Sequence, residues 1–341
     1  MTIPGCTLRP ARTALINYIP PIGKRQNTRN TPMRYASPES NPSESVTRPR
    51  NRSVVQFASI MTTTKPTSLY ALGSTDAEHG RLIRQAALLA PFTERFFRGA
   101  GIGTGQRVLD IGSGVGDVAM LAAKLVGPSG EVVGIERDAR SIVRAQARVA
   151  EAGLQNVSFT QSDVSQIPAN RPFDAVVGRF ILMFLPDPLA VLRSLSQLVR
   201  SGGVVAFHEL SWTPFLLLAA RLPLWSAGAS LIHETFRRSG ANTEMGFALY
   251  QIFQQAGLPA PTMSLEMPLG NDPEFTRWVP DVLGSLLPQV RQFNLPLEPL
   301  GDLNTLPERL QAEVAASNSV VTWMALVGAW SRKRRLPLES V

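Results

Sequence analysis

Segments with the pattern of β-strands alternate with segments with the pattern of helices over residues 107–209. The strand-like segments are short and rich in Val and Ile, and the others carry apolar residues at intervals of three and four. We expect strands at Arg107–Ile111, Glu131–Glu136, Val157–Gln161, Phe173–Val177 and Val204–Glu209, with helices at Asp117–Val126, Ala139–Ala152 and Pro188–Val199. Helical crossovers between successive strands make those strands parallel. The alternation therefore predicts an α/β fold with a doubly wound, mostly parallel sheet.

Further elements are predicted on both sides of this region. A helix is expected from Ser74-Thr75-Asp76 to about Ala90 or somewhat beyond, with Glu78 completing a capping box. A later helix is expected at Thr243–Ala256, and the sixth and seventh strands at Thr262–Met267 and Val320–Trp330. The stretches 211–242 and 272–315 interrupt the rhythm and are predicted to be helical lid insertions within a single domain at residues 68–335.

Positive charge is concentrated in the first 60 residues. They contain nine basic residues (Lys24 and eight Arg) against Glu39 and Glu44, and so carry +7 of the chain's net charge of +8. The remainder is nearly neutral, so we expect no surface for nucleic acid there. Residues 1–60 also lack periodicity, which predicts a disordered segment. Three interpretations stay open: a disordered arm, an organellar transit peptide, or translation from a start codon upstream of Met61.

Cysteine content and hydropathy argue against disulfide-stabilised, cysteine-dependent and membrane-spanning classes of protein. Cys6 is the only cysteine and lies in the N-terminal segment, so the folded part can hold neither a disulfide nor a cysteine nucleophile. The most apolar stretch, Phe215–Ile232, is interrupted by Arg221 and Pro223 and lacks the continuous run of roughly 20 apolar residues that a membrane helix needs. We expect no transmembrane segment and a cytoplasmic protein, or a mitochondrial one if residues 1–60 are a transit peptide.

A glycine-rich turn, Val108-Leu-Asp-Ile-Gly-Ser-Gly-Val-Gly-Asp117, joins the first strand to the first crossover helix. Glycines let a ligand approach the backbone closely, at the strand ends where open α/β sheets bind ligands. A dinucleotide fingerprint would require glycine at position 117, which is Asp117 here. Asp110, which ends the strand, repels a diphosphate but suits the cationic amino-acid and sulfonium end of S-adenosylmethionine.

Polar residues end or follow the next three strands at the same edge of the predicted sheet. Glu136 ends the second strand, 20 residues after Gly116, where a carboxylate can accept hydrogen bonds from ribose hydroxyls. Asp163 follows the third strand and can accept the exocyclic amine of adenine. Arg179 lies just past the fourth strand and is expected beside the site of methyl transfer.

The sequence resembles class I S-adenosylmethionine-dependent methyltransferases, near the ubiquinone, menaquinone and natural-product methyltransferases. The resemblance is carried by VLDIGSGVGD, GIERD, SDVSQIP, FDAVVGRFILMFLPDP and LVRSGGVVAFHE, between about residues 68 and 210. It implies a Rossmann-like fold, S-adenosylmethionine as cofactor, and a cofactor site formed by Tyr70, Asp110, Gly112, Ser113, Gly114, Gly116, Glu136, Arg137, Asp163, Val164 and Arg179. It further implies that the helix with Tyr70, Glu78, Arg81 and Gln85 covers the cofactor.

Candidates for a catalytic role follow the fourth strand or end the fifth. His208 and Glu209 are candidate general bases, and Arg179 is a third candidate. Because strand residues alternate between the two faces, only one of His208 and Glu209 is expected to face the cofactor. A structural role is the competing interpretation for each. No metal site is expected.

The predicted activity is methyl transfer by in-line displacement to a small, hydrophobic acceptor. The Trp- and Leu-rich stretch 211–242 favours such an acceptor, because burying apolar surface is favourable. Whether the accepting atom is O, N or C stays open, as does the oligomeric state. Two alternatives remain: a non-catalytic scaffold or regulator that binds S-adenosylmethionine, and a nicotinamide-dependent oxidoreductase.

Overall fold

The computed structural model describes residues 72–334 apart from Ser74, Ser165 and residues 168–170. The predicted disordered segment 1–60 and Tyr70 lie outside the described residues. The strands are β1 (Arg107–Ile111), β2 (Glu131–Glu136), β3 (Val157–Gln161), β4 (Phe173–Arg179), β5 (Val199–Ser211), β6 (Thr262–Glu266), β7 (Leu269–Gly270), β8 (Val321–Thr322) and β9 (Ala325–Arg332). The helices are α1 (Asp76–Ala100), α2 (Asp117–Val126), α3 (Ala139–Glu151), α4 (Pro188–Leu198), α5 (Thr213–Ala219), α6 (Pro223–Arg238), α7 (Met245–Gln255), α8 (Pro273–Thr276), α9 (Trp278–Gln292) and α10 (Leu306–Ala316), with short 3₁₀ turns at Leu182–Phe184, Glu298–Leu300 and Leu303–Thr305.

Seven of the strands form one sheet in the order β3-β2-β1-β4-β5-β9-β6. The first five pair in parallel, whereas β9 runs antiparallel to both β5 and β6. This confirms the predicted α/β fold with a seven-stranded, mostly parallel sheet. The strand order reverses between β1 and β4, and open sheets of this kind form their ligand crevice at such a point.

The two faces of the sheet bury different sets of side chains, as the alternation of strand residues requires. Val108 on β1 and Val177 on β4 pack in a cluster with Phe97 of α1 and with α2. Their neighbours Leu109 and Val176 join the other cluster, which extends into α4, α7 and the helices of the C-terminal half. Residues at the carboxyl ends of these strands therefore face either α1 and α2 or the later helices.

Helix α1 begins as predicted but is longer than predicted. The Thr75 hydroxyl accepts a hydrogen bond of 3.2 Å from the Glu78 amide and caps the helix. The Glu78 side chain does not return to the cap but pairs with Arg81. The helix then continues through Pro91 to Ala100, because its second half buries Phe96 and Phe97 against the sheet.

The predicted insertions contain α5 and α6 in the first stretch and α8, α9 and α10 in the second. The stretch that most resembled a membrane span is divided between α5 and α6. No helix in the described part of the chain has both the length and the apolar character to cross a bilayer. The predicted last strand is two strands, because β8 pairs with β7 in a separate two-stranded sheet before β9 joins the main sheet.

Candidate functional site

The turn between β1 and α2 has the backbone conformation that its glycines predict. Gly112 and Gly116 have φ of 68° and 89°, in the left-handed region that side chains other than glycine rarely occupy. A Cβ on Gly112 would lie 2.6 Å from the Ile181 side chain, so a residue of the β4–α4 connection lies directly against the turn. A Cβ on Gly116 would lie 3.1 Å from Ala145 of α3. The turn is thus held between two neighbouring connections.

Glu136, at the end of β2, fixes this turn from the side. Its Oε2 accepts a hydrogen bond of 2.9 Å from the Gly114 amide. Its Oε1 accepts the amides of Arg137 and Asp138 at 2.7 and 2.9 Å. A carboxylate offers about four acceptor positions, so capacity for a ligand hydroxyl remains. The chain therefore places an oriented carboxylate beside the glycine turn, as the spacing predicted.

Asp110, at the end of β1, is a buried carboxyl group. Its residue is 1% exposed, and neither carboxylate oxygen has a partner among the described residues. Burial raises its pKa to about 8, and the nearby Arg179 guanidinium opposes that rise only in part. Burying a carboxyl group without hydrogen-bond partners destabilises a folded protein, and a bound ligand can supply the missing partner. This side chain fits a cationic group bound at the turn.

A cavity of about 470 Å³ opens where these elements meet, within the size range of small-molecule sites. One half of its wall is polar and contains most of the residues predicted for the cofactor. The polar lining comprises Arg81, Gln85, Gly112, Ser113, Gly114, Asp117, Glu136, Arg137, Asp138, Ser141, Ser162, Asp163 and Arg179, and it is interspersed with Leu72, Gly73, Leu82, Val115, Val118, Ile135 and Val164. Asp110 and Gly116 are not in this lining, and both are buried.

The other half of the cavity wall is apolar and aromatic. It is lined by Phe180, Ile181, Met183, Phe184, Leu185, Leu210, Trp212, Phe236, Ala241, Val282, Trp323 and Met324, with Ser239 as its polar member. Trp323 packs on Trp278 of α9 with ring centroids 4.7 Å apart, and Trp212 packs on Phe236 of α6 at 5.9 Å. Residues of the first insertion and of the β8–β9 connection therefore close this half of the cavity.

Arg179 lies where the polar and apolar halves meet. Its guanidinium donates a hydrogen bond of 3.1 Å to the hydroxyl of Thr93 on α1, and its Cζ lies 5.7 Å from the ring centroid of Phe180. Phe180 has φ of 56°, a left-handed conformation that is unusual for a bulky residue. Backbone strain of this kind is concentrated at functional sites.

His208 and Glu209 both lie outside the cavity lining. His208 is buried on the α1 face, with its ring centroid 5.0 Å from that of Phe96 and its pKa lowered to about 3, chiefly by burial. Glu209 faces the opposite side, where its carboxylate accepts amides of the 3₁₀ turn and burial raises its pKa to about 7. The alternation of faces is as expected, but neither side chain reaches the space a substrate would fill. Within the described residues no cluster of three or more metal-ligating side chains occurs.

The helix predicted to cover the cofactor does line the polar half, through Arg81, Leu82 and Gln85 of α1. Arg81 is held by Glu78 on two nitrogens, at 2.7 and 2.6 Å, and Glu78 also accepts the Ser285 hydroxyl of α9 at 2.5 Å. Arg84 and Asp281 add a second link at 2.7 Å. The second insertion therefore holds α1 against the cavity.

Several lining residues were not found from the sequence. Val282, Trp323 and Met324 belong to segments more than 70 residues beyond the motif region and enter the cavity only through the tertiary fold. Trp225, within the predicted apolar lid, is fully buried against Trp278 and does not line the cavity.

Residues 102–257 match a sequence family described as a methyltransferase domain. The ubiquinone/menaquinone biosynthesis C-methyltransferase UbiE of Coxiella burnetii is 36% identical over 110 residues, which are 32% of this chain and 44% of that protein. The aklanonic acid methyltransferase DauC of a Streptomyces species is 40% identical over 106 residues, 30% of this chain and 48% of that protein. The chain thus matches less than half the length of these relatives.

An S-adenosylmethionine-dependent methyltransferase from Aquifex aeolicus superposes with a TM-score of 0.42 and 21% sequence identity. The superposition covers 54% of this chain and 89% of that one.

Proposed function

We propose that this chain is a class I S-adenosylmethionine-dependent methyltransferase that methylates a small, apolar acceptor. The observation that supports the proposal is a single cavity with two unlike halves. The polar half adjoins the glycine turn and Glu136, and the apolar half adjoins the end of β4. A cofactor in the first half would present its reactive end to an acceptor in the second.

The residues of the polar half fit the chemical groups of the cofactor. Asp110 is a buried acceptor whose carboxylate oxygens have no hydrogen-bond partner among the described residues, which suits the α-ammonium group of the methionine moiety. Glu136 keeps acceptor capacity for a ribose hydroxyl, and Asp163 and Val164 line the cavity where the adenine would lie. We therefore retain the predicted assignments of these residues as part of the proposal.

The apolar half supports a hydrophobic acceptor. Its lining is almost entirely aliphatic and aromatic, and burying apolar surface there stabilises a ligand by about 25 cal/mol per Å². A strongly polar acceptor would lose its hydration without compensating hydrogen bonds. The substrates most compatible with this half are aromatic or polycyclic molecules with few polar groups.

In methyl transfer the cofactor supplies an electrophilic carbon on a sulfonium, so the protein needs no covalent intermediate. The residues of this chain bind the two reactants, orient them and exclude water. Holding two reactants in line supplies up to roughly 7–11 kcal/mol in favourable cases. Ile181 lies against Gly112, so the β4–α4 connection sets the distance between the cofactor turn and the acceptor wall.

A transfer assay with S-adenosylmethionine labelled on its methyl group tests the proposal. Full-length protein is incubated with matched sets of aromatic acceptors, such as 2-naphthol and 2-naphthoate, and of polar acceptors, such as glycine and phosphoethanolamine. We expect label in the organic-extractable products of the aromatic set. Transfer confined to the polar set would contradict an apolar acceptor while leaving the methyltransferase assignment intact.

A further inference from the structure

Arg179 lines the cavity and, in the part of the chain that the structure describes, forms no ion pair with a carboxylate. Among the described residues, no carboxylate oxygen lies within 4.0 Å of its guanidinium nitrogens, and its one hydrogen bond goes to the Thr93 hydroxyl. Arginine has five N–H donors, and the Arg179 side chain is only partly buried, so its remaining donors are accessible from the cavity. Thr93 is itself fully buried, so the guanidinium is aimed by a fixed group.

The charged groups around Arg179 do not satisfy it. Asp117 is paired with Arg148 at 2.7 Å. Asp110 is close enough to affect its pKa but makes no hydrogen bond to it. His208, on the adjacent strand β5, stays neutral, because burial and the Arg179 charge together lower its pKa. The remaining donors of Arg179 are thus open to an anionic group of a ligand.

The position of Arg179 favours the acceptor as the source of that group. The next two residues, Phe180 and Ile181, line the apolar half, and no carboxylate or imidazole lines that half among the described residues. The described residues therefore place no general base there to deprotonate an acceptor. A cation within about 4–6 Å of an acidic group lowers its pKa by about 1 to 3, and so keeps the nucleophile ionised without a base.

We propose that Arg179 binds an acidic oxygen of the methyl acceptor, a carboxylate or an ionised hydroxyl. The substrates of this protein are then apolar molecules that carry such an oxygen close to the methylated atom. The inference rests on the proposed function and names its substrate class. Arg179 makes the anion-binding contact, and Thr93 is a positioning residue.

Two probes of the same shape test this assignment. Full-length protein saturated with S-adenosylhomocysteine is titrated calorimetrically with 2-naphthoate and with its uncharged analogue 2-naphthamide. The wild type should bind 2-naphthoate about tenfold or more tightly, because a charge-assisted pair is roughly twice as strong as a neutral hydrogen bond. Arg179→Gln should abolish this preference and leave 2-naphthamide and S-adenosylhomocysteine binding within about threefold. Thr93→Val should reduce the preference in part.

Arg95→Gln is the matched control, since Arg95 is an exposed arginine on α1 that pairs with Glu266. It should keep the full preference for 2-naphthoate. Equal or absent binding of the two probes by the wild type would overturn the inference, and this arm needs no variant to fold. Loss of S-adenosylhomocysteine affinity in Arg179→Gln with the probe preference retained would assign Arg179 to the cofactor carboxylate and overturn it as well. Failure of the wild type to bind S-adenosylhomocysteine would instead count against the proposed function.

Discussion

Oε1 of Glu209 accepts the Leu182 amide at 2.9 Å and the Ile181 amide at 3.0 Å, so a buried carboxylate on β5 holds the turn that follows β4. The Met183 amide lies 3.4 Å from Oε2 of the same group. Ile181 and Met183 line the apolar half of the cavity. Glu209 therefore holds part of the wall of the apolar half without itself lining the cavity.

Glu209→Gln should lower the free energy of unfolding by about 1–3 kcal/mol, because the new amide group turns an N–H donor toward the Met183 amide. The affinity of this variant for the acceptor should also fall, whereas its affinity for S-adenosylhomocysteine should stay within about twofold of the wild-type value. Chemical denaturation at pH 8 and calorimetric titration measure the two effects. Glu266→Gln, in a surface ion pair with Arg95, should change stability by less than about 1 kcal/mol. Equal losses in the two variants would contradict the assigned role of Glu209.

The raised pKa of Asp110 leads us to expect that the affinity of the protein for its cofactor depends on pH. Burial raises its pKa from the ordinary 3.8 to about 8, so the carboxyl group is mostly protonated at pH 6 in the free protein. An ammonium group bound beside it requires the ionised form, and binding then releases a proton. The Kd for S-adenosylhomocysteine should fall by up to about tenfold per pH unit from about pH 6 to 8 and then level off. Calorimetry in two buffers of different ionisation enthalpy counts the released proton.

The same carboxyl group predicts how the free protein's stability varies with pH. Because the folded state binds this proton more tightly than the unfolded state, stability falls as pH rises from about 4 to about 8. Asp110→Asn should remove that contribution and flatten the pH dependence of cofactor affinity. Asp302→Asn, at an exposed position, should retain both dependences. A proton release unchanged in Asp110→Asn would show that another group is responsible.

The two buried tryptophans of the first insertion are expected to differ in function. Trp212 lines the cavity, whereas Trp225 is equally buried but does not. Trp212→Phe should weaken binding of 2-naphthol to the complex with S-adenosylhomocysteine by about threefold or more, because it removes apolar contact area. Trp225→Phe should lower the free energy of unfolding about as much as Trp212→Phe does, but it should leave the binding of 2-naphthol unchanged. Identical effects on 2-naphthol binding would contradict the assignment of the apolar half.

Because α9 of the second insertion is linked to α1, we expect the second insertion to affect the affinity for the cofactor. The Ser285 hydroxyl donates to Glu78, which holds the cavity-lining Arg81. Ser285→Ala should lower stability by about 1 kcal/mol and weaken S-adenosylhomocysteine binding a few-fold, because α1 becomes less firmly held. Ser317→Ala removes a hydroxyl that bonds only within α10 and serves as the control. An unchanged affinity in Ser285→Ala would show that the link does not affect the cofactor.

The sequence predicted the sheet well because its elements are bounded by strong local signals. The bounds of β1, β2, β3 and α2 agree with the prediction, since glycines and polar residues mark their ends. β5 extends to Ser211 because its last residues pair antiparallel with β9, a partner more than 100 residues away. That partner could not be inferred from local pattern.

The candidate site was predictable where it is built from one βαβ region. Glu136 and the glycine turn lie beside each other because adjacent parallel strands end at the same edge, and spacing alone shows this. His208 and Glu209 could be placed at a strand end, but what covers each face depends on α1 and on the turn after β4. The contributions of Val282 and Trp323 depend on how the insertions fold back over the sheet.

Calorimetric titration with S-adenosylhomocysteine and with NADH, comparing wild-type protein with Glu136→Gln, tests the central claim most directly. Glu131→Gln, at the opposite end of β2 and paired with Arg107, is the matched control. The wild type and the control should bind S-adenosylhomocysteine with roughly micromolar Kd and not bind NADH, and Glu136→Gln should lose about tenfold or more. A folded wild-type protein that binds NADH but not S-adenosylhomocysteine would contradict the account.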